Sequence, residues 1–234
     1  MKIENQLELI AKSYDSHFIE NGNEDAPSYD KLPEYITSDP NYPDWLAAHG
    51  GEPTSGRRDV KDYLSPKKGM NFVDLGCCLN LMFHEYDKWP SLYHGVDISP
   101  KTIECLNDYV INNNLTVGSL YCGSIHKTPY DNNCFDIGTC IGSLEYFEKD
   151  FVEKVLIEVH RILKPNGKFV LDVPNIGAHA CRVMMMVEDY MGRPDKFNIS
   201  LSEFDDMLKN YFEIDNKFNT EAESMALYFL RCKK

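Results

Sequence analysis

The chain has 234 residues, 43% of them hydrophobic, which is enough to bury one substantial core and favours a single elaborated domain over two. Its 37 acidic against 24 basic residues give a net charge of −13 with histidines neutral, a mean field that repels polyphosphates and disfavours a nucleic-acid substrate. Glu4 and Glu8 interrupt the apolar pattern at the amino terminus, and no segment approaches the roughly 20 apolar residues of a membrane span, so a soluble, cytoplasmic protein without a membrane partner is expected.

In chain order, Ile3, Leu7, Ile10, Ala11 and Tyr14 fall on one face of a short amphipathic helix. From Asn21 to Gly56 five prolines forbid long regular elements, and the segment reads as an ordered cap or a mobile arm. Residues 1–60 are therefore expected to form a cap on a core at 61–234. The core is rhythmic: "MNFVDLG" (70–76), "LYHGVDI" (92–98), "VGSLYCG" (117–123), "FDIGTCIG" (135–142) and "GKFVLDVP" (167–174) read as strands, with helical patterns between them. Ser99 then Pro100 predict a capped helix start, Asp150 a second, and Ser200 with Glu203 a capping box. "YFEIDNKFN" (211–219) and "ESMALYFLRCKK" (223–234) are separated by too few residues for a crossover helix and predict an antiparallel pair. The fold class is thus α/β: a Rossmann-like doubly wound, mostly parallel seven-stranded sheet with a carboxy-terminal antiparallel hairpin and an amino-terminal helical cap. Residues 175–199 carry four methionines and are long for a connection; they are either a core helix or a lid over a substrate.

Eight cysteines show no C-x-x-C pair and no zinc-type spacing, so they read as reduced, mostly buried thiols with no metal bound. The chemistry is expected where an open α/β sheet binds ligands, outside the carboxyl ends of its strands. The first strand offers Asp74 and Gly76 there. The second offers Asp97, 23 residues after Asp74, close to the roughly 20-residue offset at which an acid meets ribose hydroxyls. A carboxylate there favours a free ribose and repels a 2′-phosphate. Of the G-x-G-x-x-G pattern only Gly76 remains, with Cys78 and Leu81 where glycines belong, so pyrophosphate binding and a nicotinamide-dependent oxidoreductase are poorly supported.

"NFVDLGCCLN", "YHGVDIS", "GSIHKTPYDNNCFDIGTCIGSLEYF" and "EVHRILKPNGKFVLDVPN", in that order, resemble the class I S-adenosylmethionine-dependent methyltransferases, most of all the small-molecule branch. The resemblance spans about residues 70–174. It implies S-adenosylmethionine as cofactor and methyl transfer to a small-molecule acceptor by in-line displacement. It also implies that Asp74, Gly76, Cys77 and Asn80 belong to the turn beside the methionine moiety, and that Asp97 meets the ribose with Ile98 beside the adenine. Ser124 and Ile125 would contact the adenine, and Cys140, Ile141 and Gly142 would end the fourth strand beside the sulfonium. Tyr14 matches a residue that closes over the cofactor, and Arg57 is a weaker match for a carboxylate partner. Cys78 and Asn80 replace the family's second and third glycines, and Ser124 replaces its usual Asp; a Cβ at 78 would crowd a close backbone approach, and Asn80 can adopt a left-handed conformation. If a general base is used, His17, His126 and His179 are the candidates, His179 foremost as the opening residue of the 175–199 segment. A catalytically silent scaffold that binds a partner through the Tyr-rich arm is the non-enzymatic alternative.

Overall fold

In a computed structural model, residues 3–19, 31–49, 58–193, 196–220 and 223–234 are described. Three helices come first: α1 (Ile3–Ile19), α2 (Glu34–Thr37) and α3 (Tyr42–His49). Then follow α4 (Arg58–Leu64), β1 (Asn71–Leu75), α5 (Asn80–Phe83), β2 (Leu92–Asp97), α6 (Pro100–Asn112), β3 (Ser119–Cys122) and β4 (Phe135–Cys140). The chain ends with α7 (Lys149–Ile162), β5 (Leu163–Pro174), α8 (His179–Tyr190), α9 (Leu201–Lys209), β6 (Phe212–Phe218) and β7 (Met225–Cys232).

The seven strands form one sheet in the order β3-β2-β1-β4-β5-β7-β6. Pairs among β1 to β5 are parallel, and β7 runs antiparallel to both β5 and β6. The expected fold class is borne out, hairpin included. Strand alternation divides the core by face. Val73, Phe169, Leu171, Tyr228 and Leu230 pack with α7 and α9, whereas Phe72, Val170 and Phe229 pack with α4, α5 and α6. A satellite core joins α8 to α2 and α3 through Val183, Met184, Val187, Ile36 and Trp45. The methionine-rich segment is therefore a helix that packs with Met184 and Met191 and leaves Met185 exposed.

Two helix starts behave as the sequence predicts. Ser99 Oγ accepts from Thr102 N at 3.0 Å, and Ser200 Oγ accepts from Glu203 N at 3.3 Å. The Glu203 carboxylate does not complete the reciprocal half of the box; it pairs with Lys149 at 2.6 Å. Asp150 is not a cap: α7 begins one residue earlier, at Lys149, its N-cap is Glu148, and Asp150 lies in the first turn, where the helix dipole favours an acid.

Candidate active site

Strand order reverses between β1 and β4, so the loops leaving their carboxyl ends diverge and open a crevice. A cavity of about 310 Å³ occupies it. The turn after β1 contributes Gly76, Cys78 and Asn80; the end of β2 contributes Asp97 and Ile98; the loop after β3 contributes Ser124 and Ile125. The loop after β4 supplies Ile141, Gly142, Ser143, Tyr146 and Phe147, and α1 roofs the space with Leu7, Ile10 and Tyr14.

Asp97 is the charged floor of this cavity and is 7% exposed. Its Oδ2 accepts from Cys78 N and its Oδ1 from Ser99 N, each at 2.8 Å, so two loops fix the carboxylate in one orientation. Burial holds its pKa above the usual carboxylate range, while those backbone N–H groups pull it back down. Gly76 has φ +71°, and a Cβ there would overlap the Ser143 side chain; glycine lets the β1 turn and the β4 loop meet. At position 78 the left-handed conformation falls on a cysteine, φ +38°, and Asn80 is instead the first residue of α5. The left-handed conformation open to Asn80 is not used: the turn has its positive φ two residues earlier, where the Cys78 N–H reaches Asp97.

Three of the expected residues lie beneath the cavity. Asp74 is fully buried, with Oδ1 accepting from Thr139 Oγ1 at 2.7 Å and Oδ2 from Tyr93 OH at 3.1 Å and Asn80 Nδ2 at 3.3 Å. Burial pushes its pKa up to about 6, opposed by these three donors. It props the turn from inside through Asn80 and does not line the cavity. Cys77 and Cys140 are fully buried core thiols, each pushed well above the ordinary thiol value by burial. All eight cysteines are free, four buried, three half-buried and Cys122 exposed, and no metal-binding cluster occurs among the described residues.

Of the histidines, His179 is exposed in the first turn of α8 and does not line the cavity. His126 Nδ1 lies 2.6 Å from Ser124 Oγ and its ring tilts against Phe151. The Arg57 expectation falls outside the described residues, as does any reading of the His17 side chain. His84, Ser143, Tyr146 and Phe147 line the cavity without having been singled out from sequence. "IGSLEYF" follows the fourth strand directly, and a loop in that position must border any ligand; that was the available signal.

Helix α1 is tied down at several points. Asp15 Oδ1 accepts from Ser99 Oγ at 2.6 Å and from Lys101 N at 3.3 Å, and Gln6 Nε2 donates to the Tyr146 carbonyl. Tyr14 OH lies 3.1 Å from Tyr146 OH, which donates to Glu188 Oε2 at 3.2 Å. The Arg193 guanidinium stands over the Tyr14 ring, 5.1 Å from its centroid, and its Nε is 3.1 Å from Glu188 Oε2. Burial raises both tyrosine pKa values far above their ordinary value, so both hydroxyls stay protonated at neutral pH.

The donor set fits a nucleoside carrying an apolar-flanked base. A fixed carboxylate at the β2 end can accept from two ribose hydroxyls, Ile98 and Ile125 offer apolar faces to a planar ring, and Ser124 offers a neutral polar contact. Among the described residues neither lysine nor arginine lines this cavity, in keeping with a ligand that has no phosphate.

Comparison with known proteins agrees. Residues 73–171 match the family described as a methyltransferase domain. A curated relative, the sterol 4-C-methyltransferase of Caenorhabditis elegans, is 26% identical over 113 residues, 48% of this chain and 33% of its own length, so the match spans about a third of that protein. Among solved structures, the geranyl diphosphate C-methyltransferase of Streptomyces coelicolor, in complex with Mg²⁺, geranyl-S-thiolodiphosphate and S-adenosyl-L-homocysteine, superposes with a TM-score of 0.64 at 14% identity, covering 97% of this chain and 98% of that one. The PH0226 protein of Pyrococcus horikoshii gives 0.59 at 16% identity, covering 87% and 100%. At such identities the structural likeness speaks for the fold. Taken with the sheet order and the glycine turn, it shows a Rossmann-like methyltransferase fold whose residues 73–171 match a methyltransferase domain.

Proposed function

We propose that the protein transfers a methyl group from S-adenosylmethionine to a small-molecule acceptor, with Asp97 holding the ribose, Ile98, Ser124 and Ile125 framing the adenine, and the Gly76–Asn80 turn bordering the methionine portion. The observation that carries this reading is Asp97: a buried carboxylate at the switch-point edge, oriented by two backbone N–H groups from different loops and lining a cavity with no other carboxylate among the described residues. When bound, the cofactor supplies an activated methyl group on a sulfonium, open to in-line displacement by an acceptor's electron pair. The chain's own contribution is alignment and exclusion of water, which can be worth about 7–11 kcal/mol without dedicated acid or base. Tyr14 and Tyr146, both neutral, and the apolar face of α1 close the site from above.

A small acceptor is supported by the roof, since among the described residues Leu7, Ile10 and Tyr14 of α1 and Tyr146 and Phe147 of the β4 loop line this cavity. The named relatives methylate a sterol and geranyl diphosphate, and an acceptor with substantial apolar surface is the corresponding choice here. The test is incubation with S-adenosylmethionine carrying a labelled methyl group and a panel of lipophilic alcohols, acids and polyprenyl compounds. Label in an extracted product, formed together with S-adenosylhomocysteine, is expected. Tight cofactor binding with no labelled product across the panel would favour the silent-scaffold reading.

A further inference from the structure

A second cavity of about 450 Å³ adjoins the first and shares Ile10 and Tyr146 with it. An acceptor has to reach the cofactor from a neighbouring space, and this space has the volume of a drug-sized ligand. One wall is apolar, formed by Leu9 and Ile10 of α1; Leu9 is 58% exposed, a large apolar side chain turned outward on a helix whose neighbouring face is otherwise packed. Arg193, Lys196 and Glu148 also line the cavity. Two cations lining one cavity run against a chain of net charge −13. Arg193 is 8% exposed, a buried guanidinium lining a cavity. Glu188 meets it on the Nε side, and the Tyr14 ring lies beneath it. Its planar fork suits a planar or tetrahedral oxyanion. Lys196 is held in place through its backbone, which donates to the Glu145 carbonyl at 2.9 Å, and its side chain is exposed.

Resting on the methyltransferase reading above, we infer that this second cavity is the acceptor chamber, and that it selects an amphipath: an apolar body along Leu9 and Ile10 with one anionic group, carboxylate or phosphate, at Arg193 and Lys196. Tyr146, common to both cavities, marks where the apolar end of such an acceptor meets the cofactor space. The anion is thereby kept away from Asp97, whose charge would repel it.

The test is calorimetric titration of the full chain, saturated with S-adenosylhomocysteine, with decanoate, decyl phosphate and decanol as probes. Both anions are expected to bind about tenfold or more tightly than the alcohol, and the preferred anion distinguishes a fatty-acid-like from a phosphorylated acceptor. Lys196→Gln, at an exposed side chain, should cut the preference at least about threefold while S-adenosylhomocysteine affinity stays unchanged, and Arg193→Gln should abolish it. If Arg193→Gln fails to fold for loss of its contact with Glu188, raising ionic strength from about 50 to about 500 mM must still erode the preference in the wild type. Decanol binding as tightly as the anions, or a preference indifferent to both Lys196→Gln and salt, would overturn the assignment. Failure of S-adenosylhomocysteine itself to bind is a separate outcome that brings down the methyltransferase reading and the acceptor assignment with it.

Discussion

Cys78 holds φ +38°, a conformation that costs a residue with a Cβ about 1–2 kcal/mol. Its contact with Asp97 is through its backbone N–H, which any residue but proline supplies. Cys78→Gly should therefore fold with equal stability or gain up to about 1 kcal/mol, glycine's greater unfolded-state entropy offsetting part of the relief. Urea denaturation measures this; a loss of more than about 1 kcal/mol would show that the thiol packs usefully. Asp74 makes a different prediction. Its folded pKa, raised to about 6 from an ordinary 3.8, means that the native state binds its proton more tightly than the unfolded chain. Its contribution to stability is greatest below pH 4 and is lost as pH rises through 6, by an amount of order 2–3 kcal/mol. In Asp74→Asn that fall between pH 4 and 6 should flatten, read from denaturation midpoints across the range; an unchanged slope would mean that Asp74 ionises freely. Asp97 was legible in sequence because it closes a strand and precedes a capped helix. The inward direction of Asp74 was not, because it depends on Tyr93 and Thr139 arriving from neighbouring strands.

At the level of elements, α1 matters most, since it roofs both cavities with Leu7, Ile10 and Tyr14 on one side and Leu9 on the other. Its polar tether at the α6 end is Asp15 on Ser99 and Lys101. Asp15→Ala should speed amide exchange in α1, corresponding to about 1–2 kcal/mol of local opening, while β1 and β4 keep their protection. Exchange that rises equally in the sheet would show that α1 is part of the global folding unit. The amphipathic pattern revealed the helix but not its seat, because nothing in residues 3–14 names the loop it covers. Tyr146 and Arg193 escaped notice for the same reason: one follows β4 and the other follows α8, and only packing brings them to Tyr14. Local start signals were more reliable. Ser99 and Ser200 cap as expected, and Asp150 misled because an acid in the first turn satisfies the helix dipole nearly as well as one at the cap.

Across the whole molecule, the alternation of strands and helices, with the closing hairpin, was sufficient to specify seven strands and their layering, since βαβ connections leave few arrangements. Strand order then fixes where ligands go. The crevice is walled by members of the core such as Ile125, Tyr146 and Phe147, so a ligand that fills it binds the native state and stabilises the fold. S-adenosylhomocysteine at a hundred times its Kd should raise unfolding free energy by about 2.7 kcal/mol and the melting temperature by roughly 5–10 °C. An unaltered melting curve at millimolar ligand would contradict this. The most direct measurement of the central claim is the S-adenosylhomocysteine Kd of Asp97→Ala against the wild type by calorimetry. Asp97 anchors the ribose if saturable wild-type binding weakens by about 1.5–3 kcal/mol, roughly 10- to 150-fold, in the variant. Equal dissociation constants for the two proteins would place the nucleoside elsewhere and contradict the account.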